Sequence, residues 1–224
     1  FLRYRSDEIA WHTEWLADSD TESAIGLVDV RRQTNGDGVE AILYTPRQKH
    51  TFAHATAVLD ELGMTIVDAR IVPTRNDYSI DTFIFMELDK RMDIDESRMA
   101  KIRRSLTRVL TASDDNVARV TRAAPRQVRM FTTKTSVEFG KNTPDGRTVM
   151  ELVAADQPGL LSRVGQVFIA QGIDIHAAKI MTIGERAEDV FYLSDESGAP
   201  LNDAARQRLH DELCSKLDDN SAAS

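Results

Sequence analysis

The sequence predicts an α+β fold in which two βαββαβ units follow one another along the chain. A block of ten residues that begins at Leu62 resembles a block that begins at Gln171, which lies 109 residues later. Each block follows a helical stripe of apolar residues and leads into further short apolar runs. A chain of 224 residues has room for two small domains of this kind. The repeat therefore indicates two related domains in tandem.

The first predicted domain covers residues 37–132. Short apolar runs mark its strands, and apolar residues three or four positions apart mark its helices. Its predicted elements are a strand at 39–44, a helix at 52–62, strands at 65–72 and 80–88, a helix at 99–109 and a closing strand at 128–131. Gly63 can end the first helix in the left-handed conformation. This order is the split βαβ plan of ferredoxin-like domains.

The second predicted domain covers residues 133–217 and repeats this plan without a closing strand. Its predicted elements are a strand at 148–154, a helix at 160–168, strands at 173–183 and 187–193 and a helix at 209–217. A vacant sheet edge would expose unpaired backbone groups. The alternating residues 135–139 are therefore predicted to pair antiparallel with 148–154. The same run could instead extend the closing strand of the first domain.

The two ends of the chain fit neither copy of the repeat. Residues 1–36 are interpreted as the remainder of a preceding domain, with a short helix at 7–16 and a strand near 25–30. Since the sequence begins at Phe1 rather than at methionine, we expect it to be part of a longer protein. The polar residues 218–224 are expected to form a disordered tail.

Composition excludes several functional classes. The formal charge of −8, with 28 basic and 36 acidic side chains, disfavours a dedicated nucleic-acid binder. The single cysteine, Cys214, rules out an internal disulfide and a cysteine cluster for zinc. No apolar run approaches the ~18 residues of a membrane span, and no signal peptide is evident. We therefore expect a cytoplasmic protein without nucleic-acid or membrane partners.

The most informative motif is Ala155-Asp156-Gln157-Pro158-Gly159-Leu160-Leu161, between a predicted strand and a predicted helix. Pro158 can occupy the first helical turn, and Gly159 lets the backbone approach a ligand closely. The free N–H groups at the start of a helix suit a carboxylate. Asp156 is expected to cap the helix or to receive an ammonium group.

These motifs resemble a known family. A strand, the run Asp-x-Pro-Gly-Leu-Leu and a later Gly-x-Asp-Ile are similar to the ACT domain, a small-molecule regulatory module. Residues 151–165 and 183–191 resemble more specifically the C-terminal tandem ACT region of the bifunctional uridylyltransferase/uridylyl-removing enzymes, which modify the PII nitrogen-signalling protein. Residues 2–5 and 8–12 resemble the segment that joins the HD hydrolase domain of that family to its first ACT domain.

The resemblance implies a regulatory region that binds an amino acid, with glutamine as the expected ligand. Binding would allosterically control the uridylylation and deuridylylation of PII by upstream catalytic domains of the same protein. No cofactor is expected in this chain, since the Mg²⁺ of the family belongs to those catalytic domains. Copies of the chain could also associate through the edges of their ACT sheets. The expected ligand-binding residues are Asp156, Gln157, Pro158, Gly159, Leu160, Leu161, Gly172, Ile173, Asp174 and His176.

The first domain departs from the family pattern at the matching turn. Arg47, Lys49 and His50 stand where the family motif has aspartate, proline and glycine. The charge is reversed, and the position that allows close backbone approach is lost. No ligand site is therefore assigned to this turn, which is interpreted as a partner surface, an interdomain surface or a solvated basic turn.

No catalytic or metal-binding residues are predicted. The sequence lacks the Gly-Ser turn with paired aspartates of a nucleotidyltransferase and the adjacent His-Asp pair of an HD hydrolase. His50 and His54 could share a helix face, but a third metal ligand is not evident. His176 is interpreted as a ligand contact or as an ordinary strand histidine. The chain is thus expected to be regulatory rather than an enzyme, and the alternative is a structural oligomerisation module that binds no ligand.

Overall fold

The computed structural model describes residues 4–19, 26–34, 36, 38–47, 50–88, 94–111 and 133–218. Within these ranges the chain forms helices and strands in the following order: α1 (Ser6–Asp18), β1 (Leu27–Arg32), β2 (Val39–Pro46), α2 (Thr51–Glu61), β3 (Met64–Pro73), β4 (Tyr78–Glu87), α3 (Glu96–Leu110), β5 (Ser136–Phe139), β6 (Thr148–Ala155), α4 (Leu160–Ala170), β7 (Ile173–Lys179), β8 (Thr182–Ile183), β9 (Arg186–Asp195) and α5 (Asp203–Asp218).

The strands form one antiparallel sheet in the order β1-β2-β4-β3-β7-β9-β6-β5, and the short β8 pairs with β9. Unit one consists of β1 to β4 with α2 and α3, and unit two of β5 to β9 with α4 and α5. The units meet edge to edge, because residues 68–70 of β3 pair with residues 177–179 of β7. Edge pairing, which the family resemblance allows between copies of the chain, here joins the two units of one chain.

The core lies between the sheet and the helices α2 to α5. Phe52 of α2 and Phe83 of β4 contribute to it with ring centroids 6.2 Å apart. Helices α2 and α4 pack against each other at the junction of the units. Gly165 permits this packing, since a Cβ atom there would lie only 2.9 Å from the Cβ atom of Ala53.

Helix α1 covers the other face of the sheet. Side chains alternate between the two faces of a strand, and Thr82, next to Phe83, contacts Tyr4 at an oxygen–oxygen distance of 3.3 Å. Glu8 of α1 is 1% exposed and accepts a hydrogen bond of 3.0 Å from Arg70 of β3. Burial lowers the pKa of His12 in the same helix to about 4. These contacts attach α1 to unit one.

Most predicted elements are confirmed, including the pairing of residues 136–139 with residues 150–153. Two predictions about strands need correction. The predicted strand at 173–183 is interrupted after Lys179, because Ile180 turns its N–H to the carbonyl of Val67 at 3.3 Å and the chain folds back on β9 as β8. The outer edge of β2, which the ferredoxin-like plan reserves for the closing strand, is occupied by β1.

The remaining differences concern the ends of the two units. The predicted closing strand at 128–131 lies outside the described residues. Asp218, assigned to the tail, is the last residue of α5, and its carboxylate accepts a hydrogen bond of 3.0 Å from the N–H of Thr135. This contact fastens the end of α5 beside β5. Residues 219–224 of the predicted tail also lie outside the described residues.

Candidate functional site

Two cavities lie where the units meet. Cavity A, of about 250 Å³, lies beside the 156–158 turn of unit two. Cavity B, of about 230 Å³, lies beside Arg47, at the equivalent turn of unit one. Each cavity is lined by the turn and helix of one unit and by a strand of the other, which is β3 in cavity A and β7 in cavity B.

The two cavities are related by the repeat. Residues 64–66 of unit one line cavity A, and their counterparts at 173–175 of unit two line cavity B. The buried acids Asp189 and Asp81 also occupy equivalent positions, one in each cavity. The antiparallel pairing of β3 with β7 explains this exchange, because it places the start of each strand beside the turn of the other unit.

The turn of cavity A differs in detail from the prediction. Gly159, not Asp156, is the N-cap residue of α4, and its φ of 79° is left-handed. The N–H of Leu160 donates to the carbonyl of Gln157 at 3.0 Å. Pro158 followed by a left-handed glycine is typical of a type II turn, so the helix begins only at Leu160. Asp156 and Pro158 therefore precede the helix rather than cap or start it.

A carboxylate from unit one lies against this turn. The N–H of Gly159 donates to the Asp60 carboxylate, which comes from the C-terminal end of α2 and also lines cavity A. The motif predicts an anion near the start of α4, and the chain itself supplies one. The Asp60 charge also acts on Arg163, whose pKa is lowered by burial and raised to a smaller extent by Asp60.

Asp189 is the most unusual group in cavity A. It is 1% exposed, and its Oδ1 atom accepts a hydrogen bond of 3.3 Å from the N–H of Met181. Its Oδ2 atom has no hydrogen-bond partner within the described parts of the chain. Burial raises the pKa of Asp189 to about 7. The charge of the nearby Asp156 also raises this pKa, whereas the hydrogen bond from the N–H of Met181 lowers it. A buried carboxyl group of this kind beside a cavity is a candidate ligand contact.

The predicted ligand-binding residues divide between the two cavities. The residues that line cavity A are Asp156, Gln157, Pro158, Leu160 and Leu161. The residues that line cavity B are Ile173, Asp174 and His176. Gly159 lies in the turn of cavity A, and Gly172 lies next to Glu196 of cavity B. Residues 172–176, which were predicted to share one ligand site with the Asp156 turn, therefore lie at cavity B, and residues 64–66 of unit one face that turn instead.

Cavity B combines a buried acid with an ion pair. Asp81 is 1% exposed, and its Oδ1 atom has no hydrogen-bond partner among the described residues. Burial raises the pKa of Asp81 to about 7, although a hydrogen bond with Ser79 opposes the shift. Arg47 of unit one and Asp174 of unit two form an ion pair at 2.6 Å. The reversed charge at Arg47 thus serves a contact between the units.

The structure also places His176, which was interpreted as a ligand contact or as an ordinary strand histidine. His176 is buried, and its Nε2 atom lies 2.9 Å from the hydroxyl oxygen of Ser194, so this histidine is hydrogen-bonded within unit two.

Within the described ranges, no three His, Cys, Asp or Glu side chains are grouped to hold a metal ion. No helix in the same ranges is long and apolar enough to cross a membrane.

Sequence reasoning did not select Asp60, Asp81 or Asp189. The repeat contained the signal for two of them, because the run Asp81-Thr82-Phe83-Ile84 aligns with Asp189-Val190-Phe191-Tyr192. An acid at the same place in two predicted buried strands is unusual. Asp60 carried no such signal, because its role depends on the contact of α2 with the other unit.

Comparison with known proteins gives a family match in unit two and relatives that match nearly the whole chain. Residues 148–212, which lie within unit two, match the family model of the ACT domain. The chain is 37% identical over 90% of its length to the bifunctional uridylyltransferase/uridylyl-removing enzyme of Acinetobacter baylyi. The enzymes of that name from Vibrio campbellii and Methylococcus capsulatus are each 38% identical, over 100% and 92% of the chain.

The chain spans about a quarter of the length of these relatives, between 23% and 25%. The expected resemblance to an ACT-containing part of this enzyme family is therefore confirmed over nearly the whole chain. The match agrees with the prediction that the chain is a regulatory part rather than the catalytic part of such an enzyme.

Proposed function

We propose that this chain is the amino-acid-sensing region of a PII uridylyltransferase and that glutamine binds in cavity A. The observation that carries the proposal is the buried Asp189, which lines a cavity between two units and has no hydrogen-bond partner at Oδ2 among the described residues. The relatives are named bifunctional uridylyltransferase/uridylyl-removing enzymes. This name supports uridylyl transfer and uridylyl removal as the activities that glutamine binding would regulate.

The polar groups of cavity A suit the two charged ends of an α-amino acid. Asp189 and Asp156 can accept hydrogen bonds from an ammonium group. The N–H of Gly159 holds a carboxylate, that of Asp60, and can hold the carboxylate of a ligand in the same way. Leu160 and Leu161 provide apolar surface for the ligand's methylene groups.

This arrangement also offers a route for regulation. Asp60 belongs to α2 of unit one, whereas Gly159 belongs to the turn of unit two. A ligand carboxylate that replaced Asp60 would change the contact between the units. A ligand shifts a conformational equilibrium by its difference in affinity for the two states, and this replacement provides such a difference. Catalytic domains elsewhere in the protein would respond to the changed arrangement, and PII would be their substrate.

A structural role without ligand is the second candidate function. The pairing of β3 with β7 and the close packing of Gly165 against Ala53 hold the units together without any bound molecule. A module of this kind could serve assembly alone. The two candidates differ in whether the chain binds an amino acid.

Isothermal titration of the 224-residue chain with L-glutamine separates them. We expect saturable binding that Asp189→Asn weakens by about 10- to 100-fold, because a hydrogen bond to a charged group is worth roughly 1.5–3 kcal/mol. Asp156→Ala should have an effect of similar size if Asp156 contacts the ammonium group. The matched control is Asp211→Asn, an exposed aspartate of α5.

The outcomes are distinct. Absence of any glutamine binding to the chain would favour the structural role. Binding that is unchanged in Asp189→Asn would remove the ligand from cavity A. In the whole enzyme, Asp189→Asn should reduce the response of both activities to glutamine and leave the activities without glutamine intact.

A further inference from the structure

We infer that cavity B is a second ligand-binding site, which takes a small molecule with a protonated amine. This inference goes beyond the proposed function, which places glutamine in cavity A. The turn of unit one gives no reason to expect a site here, because it lacks the Asp-x-Pro-Gly motif. The inference depends instead on Asp81, on the balance of charge and on the shape of the cavity.

Asp81 is the first reason. Its side chain is buried and lines cavity B, and its Oδ1 atom has no hydrogen-bond partner among the residues that the structure describes. Buried polar atoms are usually hydrogen-bonded, and an exception calls for an explanation such as a missing ligand. Because Asp81 lies on the same strand face as Phe83, it points toward the helices and the cavity between them. An N–H donor within cavity B would satisfy this oxygen.

The balance of charge is the second reason. The side chains that line cavity B include the carboxyl groups of Asp81, Asp174 and Glu196, and the guanidinium group of Arg47. Arg47 is already paired with Asp174 at 2.6 Å. Asp81 adds a carboxyl group that this ion pair does not neutralise, and a carboxylate attracts a cationic ligand. A protonated amine is both a cation and a hydrogen-bond donor, so it meets both requirements.

The apolar wall of the cavity limits the rest of the ligand. Phe52, Ile71, Phe168 and Ile173 line cavity B and suit a short aliphatic chain. The volume of about 230 Å³ is below the roughly 300–1,000 Å³ that is usual for drug-sized ligands. The ligand is therefore a small aliphatic amine or amino acid.

The two classes of ligand, an amino acid and a simple aliphatic amine, would make different contacts with Arg47. An α-amino acid carries a carboxylate, which could pair with Arg47 in place of Asp174. A simple diamine has no carboxylate and would leave the Arg47–Asp174 pair in place. L-glutamine and butane-1,4-diamine are suitable probes for the two classes.

The test uses the chain with Asp189→Asn, so that binding in cavity A is weakened and cavity B is observed by itself. We expect one of the two probes to bind this variant with a stoichiometry of one. Adding Asp81→Asn should weaken that binding at least about tenfold, since it removes a charged partner of the amine. Adding Asp211→Asn, the exposed control, should leave the binding unchanged.

Arg47→Ala then distinguishes the two classes of ligand. If the ligand is an amino acid, Arg47→Ala should weaken binding of L-glutamine, whereas binding of the diamine should persist. Amide shifts of Ser79 and Ile175 in NMR spectra give a second measurement, which does not depend on any substitution at Asp81. Ligand binding in cavity B should move both signals.

The inference is overturned if neither probe binds the Asp189→Asn chain at about 10 mM, a concentration well above a millimolar dissociation constant. It is also overturned if a probe binds but Asp81→Asn has no effect and the signals of Ser79 and Ile175 do not move. Loss of glutamine binding to cavity A would leave these results unaffected, so the two proposals fail independently.

Discussion

Cavities A and B are built from equivalent positions of the two units, yet they differ in the charge of the turn residue that lines them. Each contains one buried aspartate, Asp189 in cavity A and Asp81 in cavity B. From the turn, cavity A is lined by the acidic Asp156, whereas cavity B is lined by the basic Arg47. The repeat has thus kept the buried acid and reversed the charge of the turn residue. Under the two proposals, the buried acid would bind the amine and the turn residue would select among ligands.

The backbone of the two turns differs as well. In unit two, the left-handed Gly159 directs its N–H to a carboxylate. In unit one, His50 has a helical φ of −87° and no side-chain cap. A residue with a Cβ atom would not adopt the conformation of Gly159 without strain. Of the two turns, and within the described residues, only that of unit two therefore holds a carboxylate close to its backbone.

The largest expected effect concerns the buried acids. Burial raises the pKa values of Asp81 and Asp189 from 3.8 to about 7. Between these values the folded state holds more protons than the unfolded state, so stability falls as pH rises from about 4 to 7. The difference corresponds to at most about 4 kcal/mol for each residue.

We therefore expect Asp81→Asn and Asp189→Asn to raise the free energy of unfolding at pH 8 and to have little effect at pH 4. Urea unfolding at both pH values measures this, with Asp211→Asn as the exposed control. A change in only one of the two variants would break the equivalence of the cavities. Equal effects at the two pH values would contradict ionisation as the cause.

The next effect concerns the junction that both cavities share. Gly165→Ala would place a Cβ atom 2.9 Å from the Cβ atom and 3.1 Å from the Cα atom of Ala53, so the helices must move apart. Overpacking of this kind costs about 1–3 kcal/mol, offset by up to about 1 kcal/mol of helix propensity. Gly140→Ala is the control, because its nearest neighbour would lie at an ordinary 3.6 Å.

Urea unfolding should therefore show a net loss of stability for Gly165→Ala and almost none for Gly140→Ala. Glutamine affinity should fall in the same variant, because α2 and α4 both contribute to cavity A. An unchanged midpoint would mean that the helices adapt without cost and that the junction does not hold the cavities in place.

The smallest expected effect is that of replacing the glycines that follow α2 and α4. Gly63 has a φ of 77° with open space where a Cβ atom would lie, and Gly172 has a φ of 66°. A Cβ atom at Gly172 would lie 3.0 Å from the carboxylate of Glu196, which is flexible. Each change to alanine should cost about 1 kcal/mol, because the left-handed backbone costs about 1–2 kcal/mol and the restricted unfolded chain returns about 0.4–1 kcal/mol.

Thermal unfolding of Gly63→Ala and Gly172→Ala checks this expectation. The two losses should be similar, but Gly172→Ala should also alter ligand binding in cavity B, since Glu196 lines it. A much larger loss for Gly172→Ala would indicate that Glu196 cannot move aside. That result would mean that the turn after α4 is packed more tightly than the turn after α2.

Sequence patterns predicted most elements because their signals are local. The spacing of Met99, Ile102 and Leu106 predicted α3, and all three are buried. The alternation in 136–139 predicted β5, since a vacant edge next to β6 required a partner. The apolar stripe of α4 correctly began at Leu160, but the cap was placed too early because two local signals compete there. Pro158 favours the first turn of a helix, but with Gly159 it forms a type II turn that delays the helix.

The sequence by itself determined the two units, the order of their elements and the turn at Asp156. Only the tertiary structure decided which residues face that turn. Apolar spacing within a unit says which side of a strand is buried, but not which sheet edges pair. The antiparallel pairing of β3 with β7 crosses the units, so residues 64–66 and Asp60 of unit one reach the turn of unit two. The same pairing carries residues 173–176 away to cavity B.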